Sequence, residues 1–142
     1  MKLFVRIFPG LFLFVNGIIY CVLAYLFIAD AQTWFARLGI KLQDATGYTE
    51  LNTMYIGLMS ALGIFSLLSA VSNRLRFAGV VLALISYAAL AAVRSWGIFV
   101  AVRSNDFMLQ LLWAELASVL LAALALYCLQ RSKRQAANPY RL

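Results

Sequence analysis

The sequence predicts an all-α integral membrane protein, a four-helix bundle with antiparallel neighbours. Three observations predict it. Four apolar runs each reach the ~20 residues that a helix needs to cross the roughly 30 Å hydrocarbon layer. The chain of 142 residues is 65% hydrophobic and 12% charged, whereas a soluble domain carries about a quarter charged residues. The basic residues also gather on one side of those runs. In lipid the backbone must satisfy its own hydrogen bonds, so the runs are helices.

The helices fall at about 9–29, 50–71, 77–100 and 107–130, giving one transmembrane domain over 1–130 and a basic cytoplasmic tail over 131–142. Residues 2–8 form a basic lead-in. Pro9-Gly10 fits the first turn of helix 1, where a missing N–H costs little. Asn16 is alone in that helix and reads as an interhelical hydrogen-bonding group. Ala29-Asp30-Ala31 has the small-x-small look of a signal-peptidase site. The preceding run of about 20 residues is longer than the usual 7–15 of a signal peptide. A chain cleaved there would keep three helices in the same orientation.

Asp30–Thr49 is the long connection, expected outside. Asp30 can cap a short helix through Leu38, and Gly39 can end it. Trp34, Phe35 and Leu38 then share one face, which suggests an interfacial helix on the outer membrane surface. Asp44-Ala45-Thr46-Gly47 reads as a turn, with Thr49 capping helix 2. Ser72–Arg76 and Arg103–Asp106 are tight links, so helices 2, 3 and 4 neighbour each other. The tail from Arg131 is polar, and its Asn138-Pro139-Tyr140 end is expected to be disordered.

Small residues mark the packing faces, because no hydrophobic force drives helices together in lipid. Helix 2 offers Thr53, Gly57 and Ala61. Helix 3 offers Ala83, Tyr87, Ala91 and Arg94. Helix 4 offers Ala114, Ser118 and Ala122, with Glu115 and Ala125 beside them.

Lys2, Arg6, Arg74, Arg76, Arg131, Lys133, Arg134 and Arg141 fall on one side of the four runs. Arg37, Lys41, Arg103 and the acidic Asp30, Asp44, Glu50 and Asp106 fall on the other. The positive-inside rule puts both termini in the cytoplasm of a bacterial inner membrane. The net charge of +7 is then cytoplasmic decoration rather than a nucleic-acid surface.

Arg94 and Glu115 lie inside spanning runs. A charge at bilayer depth costs roughly 2.5–3.5 kcal/mol on the insertion scale and survives with a partner, water or a task. Arg94 sits about 25 Å up helix 3, and Glu115 roughly 12 Å below the outer end of helix 4. Glu50 opens helix 2 at the same level. The three define a Glu–Arg–Glu layer in the outer half of the bilayer. Tyr55 and Trp96 are candidate lining residues, and Asn52, Tyr87 and Trp113 candidate supports. The tryptophans, with Trp34, also suit an interfacial belt. The Arg94–Glu115 pair suits a clamp of helix register equally well. A proton on Glu115 would neutralise the layer, which is the chemistry of a proton-coupled site.

There is no histidine, which removes bis-histidine haem and the usual zinc and non-haem iron sites, so neither metal nor cofactor is predicted. Cys21 and Cys128 lie at different depths and should be free thiols. No nucleophile–base pair appears, so hydrolysis is the least supported chemistry.

Thr49-Glu50-Leu51-Asn52-Thr53-Met54-Tyr55-Ile56-Gly57-Leu58 resembles the signature of the bacterial membrane family called domain of unknown function 4345. Arg94-Ser95-Trp96-Gly97 and Glu115 resemble that family's other charged positions. The likeness covers about residues 8–130 and is similar in outline to the DoxX-like four-helix membrane proteins. Ile56 stands where a second glycine would be expected, which narrows the space beside helix 2. The resemblance implies a four-helix fold and a shared Glu–Arg–Glu site, with no activity attached. The expected role is a binding or accessory protein for a lipid, a quinone, a small amphipathic ligand or a membrane-protein partner, including a second copy of the chain. A small proton-coupled transporter and a quinone-binding redox subunit are the alternatives.

Overall fold

The structure is a computed structural model that describes residues 2–41, 44–101 and 105–137. Four helices are long and apolar enough to cross a membrane, the pattern of a multi-pass membrane protein. They are α1 (Lys2–Arg37), α2 (Ala45–Val71), α3 (Arg76–Val100) and α4 (Asp106–Ala137). Lys133 and Arg6 line one groove with Arg76, so both ends of the described chain meet the α2–α3 link at one end of the bundle. We call it the terminal end. At the loop end, Asn105 donates to the Arg37 carbonyl, joining the α1–α2 and α3–α4 connections.

Helix α1 is the hub. Its buried residues Val5, Pro9, Leu13, Asn16, Tyr20, Ala24, Phe27 and Ala31 recur at three- and four-residue steps, one stripe of a helix. The opposite face exposes Leu3, Ile7, Leu11, Ile18, Val22 and Ile28, a surface that suits lipid and not water. Leu13 packs with Val80 of α3 and Ala125 of α4. Tyr20 packs with Ala83 and Tyr87 of α3. Of the stripe expected on α3, Ala83, Tyr87 and Ala91 are buried; on α4 Glu115, Ala122 and Ala125 are buried, Ser118 is half-buried and Ala114 is exposed.

The boundaries differ from expectation in three places. Helix α1 begins at Lys2, so Pro9 lies inside it and not in its first turn. Pro9 is fully buried, and packing holds the helix through the missing N–H. Helix α2 begins at Ala45, because the Asp44 carboxylate accepts from the Gly47 N–H at 2.7 Å and caps the first turn. The turn expected at Asp44–Gly47 is therefore helix, and Thr49 sits within it, its hydroxyl donating to the Ala45 carbonyl. Helix α4 runs on to Ala137, past the expected boundary at 130. Arg103, Ser104 and the Asn138-Pro139-Tyr140 end lie outside the described residues.

The short helix after helix 1 is present, with the expected ends. The backbone breaks at Asp30 (φ −155°, ψ 75°), and its carboxylate accepts from the Thr33 N–H. Gly39 adopts φ +75°, with Gly39 N–H donating to Ala36 and Ile40 N–H to Phe35. That pairing is a Schellman termination, which glycine reaches without steric cost. The helix does not lay its apolar face in lipid, however. Phe35 is 1% exposed and packs with Phe27 and Ala31 against Leu51, Tyr55 and Ile56 of α2. It is a lid on protein.

Helix α2 packs through a different face from the one expected. Thr53, Gly57 and Ala61 are all exposed, and a Cβ on Gly57 would meet nothing within 4 Å. The close approach is made by Gly63, where an added Cβ would lie 2.7 Å from Cys21 Sγ and 3.2 Å from the Gly17 carbonyl oxygen. Residues Thr53–Leu58 form a π-helical segment, as do Trp96–Val100 in α3. Gly63→Ala should lower stability by about 1–3 kcal/mol through overpacking, whereas Gly57→Ala should be neutral or stabilising by up to about 1 kcal/mol. Thermal unfolding of both variants in detergent checks the assignment, and the reverse order would overturn it.

Candidate functional site

Arg94 lies on α3 two residues before its π-helical segment, and Glu115 faces it from α4. The guanidinium grips the carboxylate along one edge. Nη2 donates to Oε1 at 2.7 Å, and Nε lies 2.9 Å from Oε2. The match is the two-point geometry that arginine offers a carboxylate. Glu115 is buried at 7% exposure. The Arg94 side chain keeps a fifth of its surface open. Its remaining edge is occupied differently: Nη1 donates to the Met108 sulfur. A thioether is a weak acceptor, so this edge is poorly satisfied.

The expected three-residue layer is a pair. Glu50 is exposed and makes no ion pair among the described residues, where Arg94–Glu115 stands alone. The cap at Asp44 starts α2 early, so Glu50 lies within the helix and does not open it. Tyr55 is half-buried, its ring 4.5 Å from Phe27 and 5.4 Å from Phe35. Asn52 is half-buried, and its side-chain carbonyl oxygen is enclosed without a partner. Trp96 and Trp113 are 65% and 70% exposed and turn away from the pair. Tyr87 is buried and belongs to another group.

That group went largely unread in the sequence. Tyr87 donates its hydroxyl proton to Asn16 Oδ1, and Asn16 Nδ2 donates to Ser66 Oγ at 3.1 Å. Three helices are thereby joined through polar atoms in the middle of the bundle. Asn16 does act as an interhelical hydrogen-bonding group, as its isolation suggested. The Tyr20 ring stacks on Tyr87 at 6.0 Å, and its buried hydroxyl has no partner. Ser66 carried no signal of its own, being one of several serines in an apolar helix. Cys21 and Cys128 are free thiols. Among the described residues no group of three cysteines or carboxylates could hold a metal ion.

No protein-family model, curated protein or solved structure matches the chain.

The Arg94–Glu115 pair separates a charge problem from a packing problem. Arg94→Ala leaves Glu115 buried without its cation and should cost about 3–5 kcal/mol. Arg94→Leu with Glu115→Leu removes both charges and should return stability to within about 1–2 kcal/mol of the parent. Thermal unfolding of the single and double variants measures both. Equal losses in the two would show that the charges themselves are not what couples the helices.

Proposed function

We propose that the chain is a small bacterial inner-membrane protein with both termini in the cytoplasm, and that it binds a lipid-soluble ligand in the outer half of the bilayer. The orientation rests on the positive-inside rule. The resemblance of residues 49–58 and the DoxX-like outline agree with a four-helix bacterial membrane protein and carry no activity.

The observation that carries it is the divided use of Arg94. Glu115 takes one edge of the guanidinium and cancels its charge. The other edge meets a sulfur and remains partly open. Such a site favours a neutral oxygen acceptor, because a second anion would meet the carboxylate. A quinone carbonyl or a lipid ester carbonyl has that chemistry. An oxygen in place of the Met108 sulfur would give Nη1 a stronger hydrogen bond. Tyr55 and the aromatic rings beneath the lid supply apolar faces at the same end of the bundle. The π-helical segments in α2 and α3 add to the case, since such turns concentrate at functional sites. The role is binding or accessory.

Native mass spectrometry of the purified protein, with a short-chain benzoquinone added as probe, tests this. The parent should retain a copurified small molecule or take up the quinone. The Arg94→Leu, Glu115→Leu variant should fold and lose that species. Retention of the same species by the folded double variant would sink the proposal.

A further inference from the structure

The terminal end of the bundle is strongly basic and holds no acidic side chain among the described residues. Of the five acidic residues, Asp30, Asp44, Glu50 and Asp106 lie towards the loop end, and Glu115 is engaged by Arg94. At the terminal end, Arg6 of α1, Arg76 of α3 and Lys133 of α4 converge on one polar notch of about 170 Å³, with Asn73 and Ser132 beside them. Unpaired cations from three helices repel one another, so their convergence favours an added anion.

Arg76 is held there by the fold. Its Nη2 donates to the Ala70 carbonyl at 2.8 Å, which satisfies a carbonyl in the last turn of α2. Its guanidinium lies against α1 where Gly10 leaves space: a Cβ at that position would sit 3.6 Å from Arg76 Cζ. The Nε of Arg76 is buried and has no partner among the described residues. The Lys133 ammonium is steadied over the Phe77 ring at 4.8 Å.

The notch does not stand alone. Arg6 and Arg76 also border a second groove, of about 590 Å³, between α1 and the end of α2. Its remaining walls include Ile7, Leu11, Phe14 and Val71, all exposed on the face that meets lipid. A cationic notch opening through two shared arginines into an apolar, lipid-facing groove is amphipathic in the same sense as a phospholipid.

We propose that this end of the bundle binds one anionic phospholipid. Its phosphate sits among Arg6, Arg76 and Lys133, and an acyl chain lies in the groove along α1. The site is separate from the Arg94 layer and does not depend on the reading given to it.

The test uses the full chain in detergent with an equimolar mixture of phosphatidylglycerol and phosphatidylcholine of matched acyl chains, read by native mass spectrometry. Arg6 and Lys133 are exposed, so Arg6→Gln with Lys133→Gln should leave the fold intact, which Arg76 variants need not do. Phosphatidylglycerol should be retained over phosphatidylcholine by roughly tenfold or more in the parent, and the double variant should lose most of that preference. Arg74→Gln with Arg131→Gln removes the same charge outside both grooves and should leave the preference unchanged. The proposal is overturned if the two variants weaken retention equally, because the attraction would then be diffuse. It is also overturned if Arg6→Gln with Lys133→Gln changes nothing, or if millimolar inorganic phosphate displaces the lipid, since the groove would then contribute nothing.

Discussion

A guanidinium and a carboxylate placed inside an apolar layer have to remain together. Separating Arg94 from Glu115 would leave two unpaired charges in a medium that solvates neither. The pair therefore fixes how far α3 can slide along α4. With that register set, Ala83, Tyr87 and Ala91 on α3 and Ala122 and Ala125 on α4 all turn inward together. Tyr87 then reaches Asn16 of α1, and Asn16 reaches Ser66 of α2. Each polar contact holds one more helix in place. In lipid such contacts matter because apolar side chains gain little by leaving one another for acyl chains.

The second organising contact is steric. Helix α1 approaches α2 at Gly17 and Gly63, where neither side has room for a Cβ. Helix α2 approaches α3 at Ser69 and Gly79, where an added Cβ would lie 2.5 Å from the Ser69 Cβ. These crossings sit nearer the terminal end than the ion pair does. The bundle is thus close-packed at one end and bound by polar and aromatic contacts at the other. The lid helix belongs to the second region, with Phe35 inserted beside Phe27 and Tyr55.

The sequence was most readable where one residue has one physical consequence. Runs of about 20 apolar residues require spanning helices. Asp30 and Gly39 mark a helix start and stop because capping and left-handed backbone are local matters. Arg94 and Glu115 demanded partners and found each other. Faces were harder to read. The Thr53, Gly57, Ala61 stripe assumed ordinary helical spacing, but a π-helical segment runs through Thr53–Leu58. All three residues are exposed together, and the close approach passes to Gly63 instead. Glu50 failed to join the pair for a related reason. Its position depended on where α2 begins, and Asp44 moved that start back by more than a turn. Trp96 lies in the other π-helical segment and points outward. Position along the bundle was legible; azimuth was legible on α3 and not on α2.

The break at Asp30 has a mechanical meaning. From Lys2 to the break, α1 rises about 42 Å, well beyond a hydrocarbon layer of roughly 30 Å. A rod of that length meets a thinner bilayer by tilting further. Tilt carried straight through to Arg37 would lift the lid off the aromatic rings beneath it. An extended residue at position 30 turns the chain there, so Phe35 folds back onto Phe27 of α1 itself and onto Tyr55 of α2. The lid thus ties α1 to α2 on the far side of the break, and a change in the tilt of α1 would be felt by both helices through one aromatic cluster.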